Sequence, residues 1–372
     1  MNFSELPFDT EQMIAGLSLW VETESPSYDS DAVNRVIDLA AYDLASIGAA
    51  VQRIPGRMGY ADTLRATINP DASGPPGILI ACHADTVHEA GSVAAMPYRR
   101  EGNHLWGAGI AAMKSGIYIC LEALRQLVRS DVTLNLPVTV IIIPDKELGC
   151  PSTRELFEAT ARGCKYVLVP ECVNESHCVY NGGYAQDRYK LDVKVDSVSG
   201  SGFSNSAISE MARQIVAIDE LSTDGCNFKV GAIESGQWVN FAEKCTAEVI
   251  IEAQTVNDVA EGKRRMMALN SPNPDKGLHV NRDVSLPLWL PGTESNQLFD
   301  VAKQVAGDLG IALEGSVGAG GSLACITGSM GIATLDGLGP VGFGSRSRSE
   351  RIEIDSLASR AQLVAGILQT LN

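Results

Sequence analysis

The hydrophobic pattern changes character partway along the chain. In the first half, continuous apolar runs alternate with amphipathic stretches. Gly77–Cys82, Pro137–Ile143 and Tyr166–Val169 read as strands buried on both faces. Between them, Ile117, Cys120, Leu121, Leu124 and Leu127 recur at helical spacing within Gly116–Val128, and Thr153–Ala159 opens another helix. Strand, helix, strand at this spacing predicts parallel β–α–β units covered on both faces. The polar residues that end such strands collect at the carboxyl edge of the sheet, where open α/β folds bind ligands.

From about Gly183 the texture differs. Tyr189–Val195 alternates as a strand with one exposed face does, and Ser206–Leu221 is helical. Strands near Phe228–Ile233 and Ala247–Ala253, a helix from Val256 to Ala268 and a strand near Leu278–Val284 complete a β-α-β-β-α-β order, the ferredoxin-like arrangement. After Pro287 and Pro291 a helix resumes over Leu298–Leu309, followed by a Gly-rich segment, Gly315–Gly344, and a closing helix from Ser356. The simplest account is a discontinuous α/β domain, residues 1–183 and 288–372, interrupted by an α+β insertion over 184–287.

Composition narrows the class. The chain has 372 residues, is 45% hydrophobic and carries 36 glycines, which excludes disorder, collagen and a disulfide mini-scaffold. A net charge of −16 argues against nucleic acid or an anionic membrane as partner. The start, MNFSELPFDTEQM, has no basic or apolar leader pattern, and runs such as Val138–Ile143 fall far short of the ~20 residues of a membrane helix. Nine cysteines without a CxxC pair read as buried reduced thiols of a cytoplasmic protein. The GxG at Gly107 and Gly109 lacks the third glycine and the acidic residue of a dinucleotide fingerprint.

Five collinear segments resemble the M20 family of metallopeptidases, whose carboxypeptidase and deacetylase members act on N-acyl amino acids and short peptides. His83-Ala84-Asp85 is similar to the HxD motif, and Gly107–Gly116 (GAGIAAMKSG) to GxGxxDMKxG. Asp145-Lys146-Glu147-Leu148-Gly149 with Ser152 resembles D-E-E-x-G, and Glu171 stands where an E-P glutamate belongs. Leu335–Glu350 resembles the closing GLGPxGxGxHSxxE. The resemblance implies a zinc-peptidase-like α/β/α catalytic domain with an inserted ferredoxin-like lid, and a homodimer formed through that lid. It also implies two zinc ions bridged by an Asp, with a Glu as general base on the bridging water.

The resemblance breaks at the metal centre. Ala112 stands at the bridging Asp, Lys146 at the general-base Glu, Arg346 at the C-terminal His ligand and Leu323 at an Asp of the Gly-rich loop. No His lies between His177 and His279 to supply the lid ligand. His83, Glu171 and Glu147 remain, fewer than the three or four ligands each zinc normally takes, so no metal and no cofactor are expected. Charge arithmetic agrees: two zincs contribute about +4 against four carboxylates. Here Lys146 and Arg346 offset Glu147 and Glu171. The expectation is that these two cations stand in for the metal charge.

Lys146, Glu147, Glu171, His83 and Arg346 are therefore the candidate catalytic residues, with Asp85 fixing the His83 tautomer. His83 is a base or simply a buried imidazole held by Asp85. Lys146 is an activated amine or an ordinary cation partnering Glu147, and Arg346 is a carboxylate ligand or a structural ion pair. Asn240 in Gly236–Asn240 matches a substrate-binding Asn of the lid, and Gly321 and Ser322 are further substrate-binding candidates. Cys82, Cys150, Cys172 and Cys325 lie beside motif residues, and Cys150 is the one to test as a nucleophile. Three functions stay open: a metal-independent enzyme on a small amino-acid or N-acyl-amino-acid substrate, a pseudopeptidase that binds an amino-acid-like ligand or a homologous partner, and a one-metal amidohydrolase. Hydrolysis, acyl transfer, cyclisation and isomerisation are not distinguished by fold.

Overall fold

The structure is a computed structural model that describes residues 3–69, 76–174, 177–195, 206–236, 242–271 and 276–372. It separates into two compact units. The first comprises Met1–Gly182, Leu290–Val317 and Ile326–Asn372; the second comprises Gly183–Trp289 and Gly318–Cys325.

The first unit is built on a six-stranded sheet in the order Ala50–Ile54, Thr63–Ile68, Val138–Ile143, Gly77–His83, Cys164–Leu168, Ala333–Leu335. Gly77–His83 pairs in parallel with Val138–Ile143 and with Cys164–Leu168, as the apolar runs predict. Every residue of Gly77–His83 is buried, which requires cover on both faces and explains why the run contains no alternation. The helices Ser115–Arg129 and Thr293–Asp308 both pack on Asp355–Thr370, while Ser30–Ser46 and Arg154–Arg162 pack on the sheet strands. The outcome is the expected α/β/α domain.

Two strands at one edge depart from the parallel expectation. Ala50–Ile54 and Thr63–Ile68 run antiparallel to each other, and Thr63–Ile68 is antiparallel to Val138–Ile143. A second sheet of short antiparallel strands joins Gly342–Phe343, Arg351–Glu353, His104–Trp106 and Arg99–Glu101, so that the loop carrying Arg346 is a hairpin connection. No helix among the described residues is long and apolar enough to cross a membrane.

The second unit has strands Ala185–Val195, Cys226–Ser235, Lys244–Ala253 and Lys276–Leu286, all antiparallel, with helices Ala207–Asp219 and Val256–Met267. In chain order the sheet runs second, third, first, fourth, which is the ferredoxin-like topology. Along Ala185–Val195 every second residue is buried, and Tyr189, Leu191 and Val193 meet Val249, Ile251, Met211 and Met266 in one core. Ser206 and Thr255 cap the two helices by accepting from the Ile208 and Asp258 amides.

The division differs from the sequence reading at Gly318–Cys325, which the sequence pattern keeps with the first unit. Backbone bonding accounts for the shift: Tyr184 donates its amide to Gly318 O at 3.1 Å, and the Gly320 amide donates to Glu252 at 2.9 Å. Gly321 and Ser322 therefore belong to the inserted unit.

Candidate active site

The strand Gly77–His83 delivers His83 to the carboxyl edge of the sheet, fully buried. Two residues on, the buried carboxylate of Asp85 organises the neighbourhood. It accepts from the Lys146 amide at 3.1 Å, the Glu147 amide at 3.0 Å and Ser27 Oγ at 2.7 Å. His83 Nδ1 lies 3.0 Å from the Asp85 carbonyl and 3.2 Å from its Oδ1. The imidazole is thus held by Asp85, and the same carboxylate locks the turn that follows Val138–Ile143 against the neighbouring strand. A buried carboxylate with this many donors meets its hydrogen-bonding demand in full.

The turn itself, Lys146–Leu148, is a single 3-10 turn closed by Gly149 at φ 90° and Cys150 at φ 63°. Gly149 is required because the chain reverses there in the left-handed region, which side chains resist. Asp145, at its start, accepts from the Ser152 amide and hydroxyl at 2.7 Å each and from Thr153 Oγ1. This tight turn points Lys146 and Glu147 at the end of the next strand, where Glu171 follows Pro170.

Four side chains there form a ring of alternating charge. Lys146 Nζ is 2.8 Å from Glu171 Oε1 and 3.6 Å from Glu147 Oε1. His83 Nε2 is 3.6 Å from the same Glu171 oxygen and 3.8 Å from the same Glu147 oxygen. Arg346 closes the ring from outside, its Nε 2.9 and 2.8 Å from the two Glu147 oxygens and its Nη2 2.8 Å from Oε1. Arg346 sits at φ 65°, a strained backbone conformation of the kind that concentrates at functional positions. The ring is dry: Lys146 and Glu147 side chains are 3% and 7% exposed, whereas Arg346 is 41% exposed. His83 Nε2 has no hydrogen-bond partner among the described residues.

The charges hold one another in place. Burial raises the Glu147 carboxyl, but Lys146 and Arg346 outweigh it and bring the pKa down to about 2. Burial likewise opposes ionisation of Glu171, which Lys146 and His83 overcome, leaving it well below the ordinary carboxylate range. Burial and the nearby Lys146 work against the His83 imidazolium, yet Asp85 and Glu171 together raise its pKa to about 9. Burial and Arg346 depress Lys146; Glu147 and Glu171 reverse this and raise it. Each member of the ring is charged near neutral pH, and none is poised to exchange a proton there.

The remaining sequence candidates fall elsewhere. Gly321, at φ 99° beside Gln186, and Ser322, whose hydroxyl accepts from the Ala324 amide, lie in the inserted unit. Leu323 is buried in the same segment. Asn240 lies outside the described residues. Cys150 is 1% exposed and burial pushes its thiol far up, as burial does for Cys82 and Cys172, so no thiolate nucleophile is available at these three. No disulfide joins any two of the nine cysteines.

The structure adds residues that motif reasoning passed over. Glu350, 2% exposed, accepts from the Ala111 and Ala112 amides through Oε1 and from the Gly109 amide through Oε2. It also pairs with His88 Nε2 at 2.6 Å. The closing motif ends on Glu350 and offered a signal; His88 is a lone loop histidine and offered none.

The residues present do not fit a pair of zinc ions. Ala112 presents a methyl group, the Lys146 ammonium already sits on Glu171, and both Glu147 oxygens are taken by Arg346. Among the described residues no group of three or more His, Cys, Asp and Glu side chains is arranged to hold a metal ion.

The α/β/α unit with an inserted ferredoxin-like unit, and a charged cluster at the carboxyl edge of its sheet, defines a peptidase-like class of protein. The chain belongs to peptidase family M20/M25/M40, which it matches over residues 79–370. It is 23% identical to carboxypeptidase G2 of Pseudomonas sp. (strain RS-16) over 380 residues, covering 96% of this chain and 89% of that protein. The fold is shared with human carnosine dipeptidase 1 (TM-score 0.76, 14% identity, 97% and 96% of the two chains). It is also shared with Bacillus subtilis YXEP, described as a dinuclear metal binding peptidase (TM-score 0.65, 12% identity, 97% of each chain).

Proposed function

We propose that this chain is a metal-independent member of the M20 family, an enzyme acting on a small amino-acid, N-acyl-amino-acid or dipeptide-like substrate. The observation that carries this reading is the Lys146 ammonium, 2.8 Å from Glu171 and 3.6 Å from Glu147, among the carboxylates a metal would need. Lys146 and Arg346 then supply the positive charge that polarises a carbonyl or holds a carboxylate, Lys146 from a position shielded from water and Arg346 from the exposed side. Relatives named as a carboxypeptidase and a dipeptidase support the substrate class. A second copy of the chain is the proposed protein partner, through the inserted unit, whose edge strand Cys226–Ser235 is exposed from Gly231 to Ser235.

The test is metal analysis of purified protein, combined with mass-spectrometric assay of a panel of N-acetyl amino acids and dipeptides with and without chelator. Conversion that survives chelation, by protein lacking stoichiometric metal, is the expected result. Bound zinc whose removal abolishes conversion overturns the reading.

One observation favours a second reading, a pseudopeptidase that binds an amino-acid-like ligand. Every member of the charge ring is held away from the protonation state a neutral-pH acid or base needs. Saturable binding of panel members without conversion is the outcome that selects it.

A further inference from the structure

The charge ring lacks a proton acceptor, and the structure places one on the other side of Glu350. We propose that His88, oriented by Glu350, is the general base of this site; the proposal rests on the enzyme reading above. His88 Nε2 lies 2.6 Å from Glu350 Oε2. That carboxylate is fixed by three backbone amides, Gly109 at 3.1 Å, Ala111 at 2.8 Å and Ala112 at 2.9 Å, and is 2% exposed. A carboxylate that already accepts three hydrogens takes a fourth from the ring, so the neutral imidazole carries its proton on Nε2 and its lone pair on Nδ1. His88 Nδ1 makes no hydrogen bond among the described residues, and the side chain is 10% exposed. His83 is the reverse: its Nδ1 is committed to Asp85, and its Nε2 is enclosed with no exposure at all.

The pairing also ties His88, through Glu350, to the segments that carry the ring. Glu350 binds the amide of Ala112, stands four residues from Arg346, and closes the loop that presents Arg346 to Glu147. A buried carboxylate that orients an imidazole while its other nitrogen faces the reacting group is the arrangement that makes histidine an effective base. In the step proposed, Nδ1 takes the proton of a nucleophile H–X, either water or an amine, as X bonds to the acyl carbon of the substrate. The carbonyl π pair moves onto oxygen beside the Lys146 and Arg346 cations. On collapse the acyl–nitrogen bond breaks and the proton passes from Nδ1 to the leaving nitrogen, so that His88 returns to its starting form. Water as H–X gives an acid and an amine; an amine gives a new amide and an amine. Glu350 acts through His88 and is a positioning residue.

His88→Gln is the informative variant, because its amide still donates to Glu350 but offers no basic nitrogen. On whichever panel member the wild type converts, kcat is expected to fall roughly 100- to 10,000-fold, with KM within about threefold and the melting midpoint retained. Glu350→Gln should lower kcat less and leave the imidazole in place. Full kcat in His88→Gln overturns the dyad while leaving the metal-free enzyme intact. A wild type that binds but converts nothing overturns the enzyme reading and the dyad together. Independently of turnover and of how the variants fold, nitrogen-15 spectra of the wild type should place the His88 proton on Nε2; a proton on Nδ1 of the neutral ring overturns the proposal.

Discussion

Removing the Lys146 ammonium while keeping its bulk, as in Lys146→Met, tests the charge ring directly. Its attraction to Glu171 at 2.8 Å in an effective dielectric of about 20 is about 6 kcal/mol, and to Glu147 at 3.6 Å about 5 kcal/mol. Those gains are offset by the cost of burying an ammonium that is only 3% exposed, which methionine does not incur. What remains is a carboxylate, Glu171, in a site 14% exposed and short of its main counter-charge. Breaking a buried pair from one side costs about 3–5 kcal/mol, a fall of roughly 10 °C in the melting midpoint of the first unit. Lys146→Met with Glu171→Gln removes both charges and should recover most of the loss, so the double-mutant cycle carries a coupling of about 2–4 kcal/mol. Arg346→Gln provides the contrast: its side chain is 41% exposed, solvent screens its pair with Glu147, and the expected cost is about 1 kcal/mol despite three short contacts. Calorimetry and urea titration of the wild type, Lys146→Met, Glu171→Gln, their double variant and Arg346→Gln read these values. A Lys146→Met cost below about 1 kcal/mol, or a double variant no more stable than the single, refutes the ring as a source of stability.

Other consequences are equally concrete. Glu147 has a folded pKa of about 2 against an ordinary ~4.3, so its contribution is present above ~4.3 and lost as the pH falls towards 2. His83, at about 9 folded against ~6.5 unfolded, contributes fully below ~6.5 and loses that as the pH rises through 9. Each is worth on the order of 3 kcal/mol; stability should peak between the two windows, and a His83→Asn protein that keeps the alkaline slope would contradict the assignment. Cys150, buried with its thiol pushed up, should resist iodoacetamide in the native protein and react only on denaturation; rapid native labelling identified by peptide mapping would count against its being inert. Changing Ala112→Asp, Lys146→Glu and Arg346→His together should raise chelator-sensitive zinc binding above that of the wild type, and calorimetric titration showing no difference between them would reject the charge-replacement idea.

The sequence made some features readable and hid others for physical reasons. Gly77–Cys82 was legible because a strand buried on both faces cannot alternate, and Tyr189–Val195 because a strand with one exposed face must. Ala50–Ile54 escaped notice: it is short, exposed and mixed in polarity, so its strand state depends on pairing with Thr63–Ile68 and carries no periodic mark. The positions of the ring residues followed from strand ends, but their pairing did not. Adjacency suggested that Lys146 partners Glu147. The 3-10 turn keeps the ammonium 3.6 Å from Glu147 but brings it closer, 2.8 Å, to Glu171, while Arg346, 199 residues away in sequence, takes both Glu147 oxygens. The His88–Glu350 contact spans 262 residues, and only the folded chain brings it together.

The ring explains why the departures from the family pattern belong together. With two metals present, a lysine at position 146 and an arginine at 346 would place cations against cations, a repulsion that the low-dielectric site amplifies. With the metals absent, glutamate at 146 would add a third carboxylate to Glu147 and Glu171, and neither Ala112 nor the His83 imidazolium could balance it. Each replacement is therefore costly alone and favourable in company. Loss of the bridging Asp lowers the negative charge, Lys146 and Arg346 restore the positive charge, and His83 is retained as a cation against Asp85 and Glu171. Replacement by small apolar residues would have left Glu147 and Glu171 buried with the His83 imidazolium as one cation between two carboxylates, at a cost of several kcal/mol. Charge balance by itself is satisfied equally by a catalyst and by a binding protein. What separates them is whether a base acts at the ring, and the proposed base, His88 held 2.6 Å from Glu350, is the group whose replacement by glutamine decides between the two.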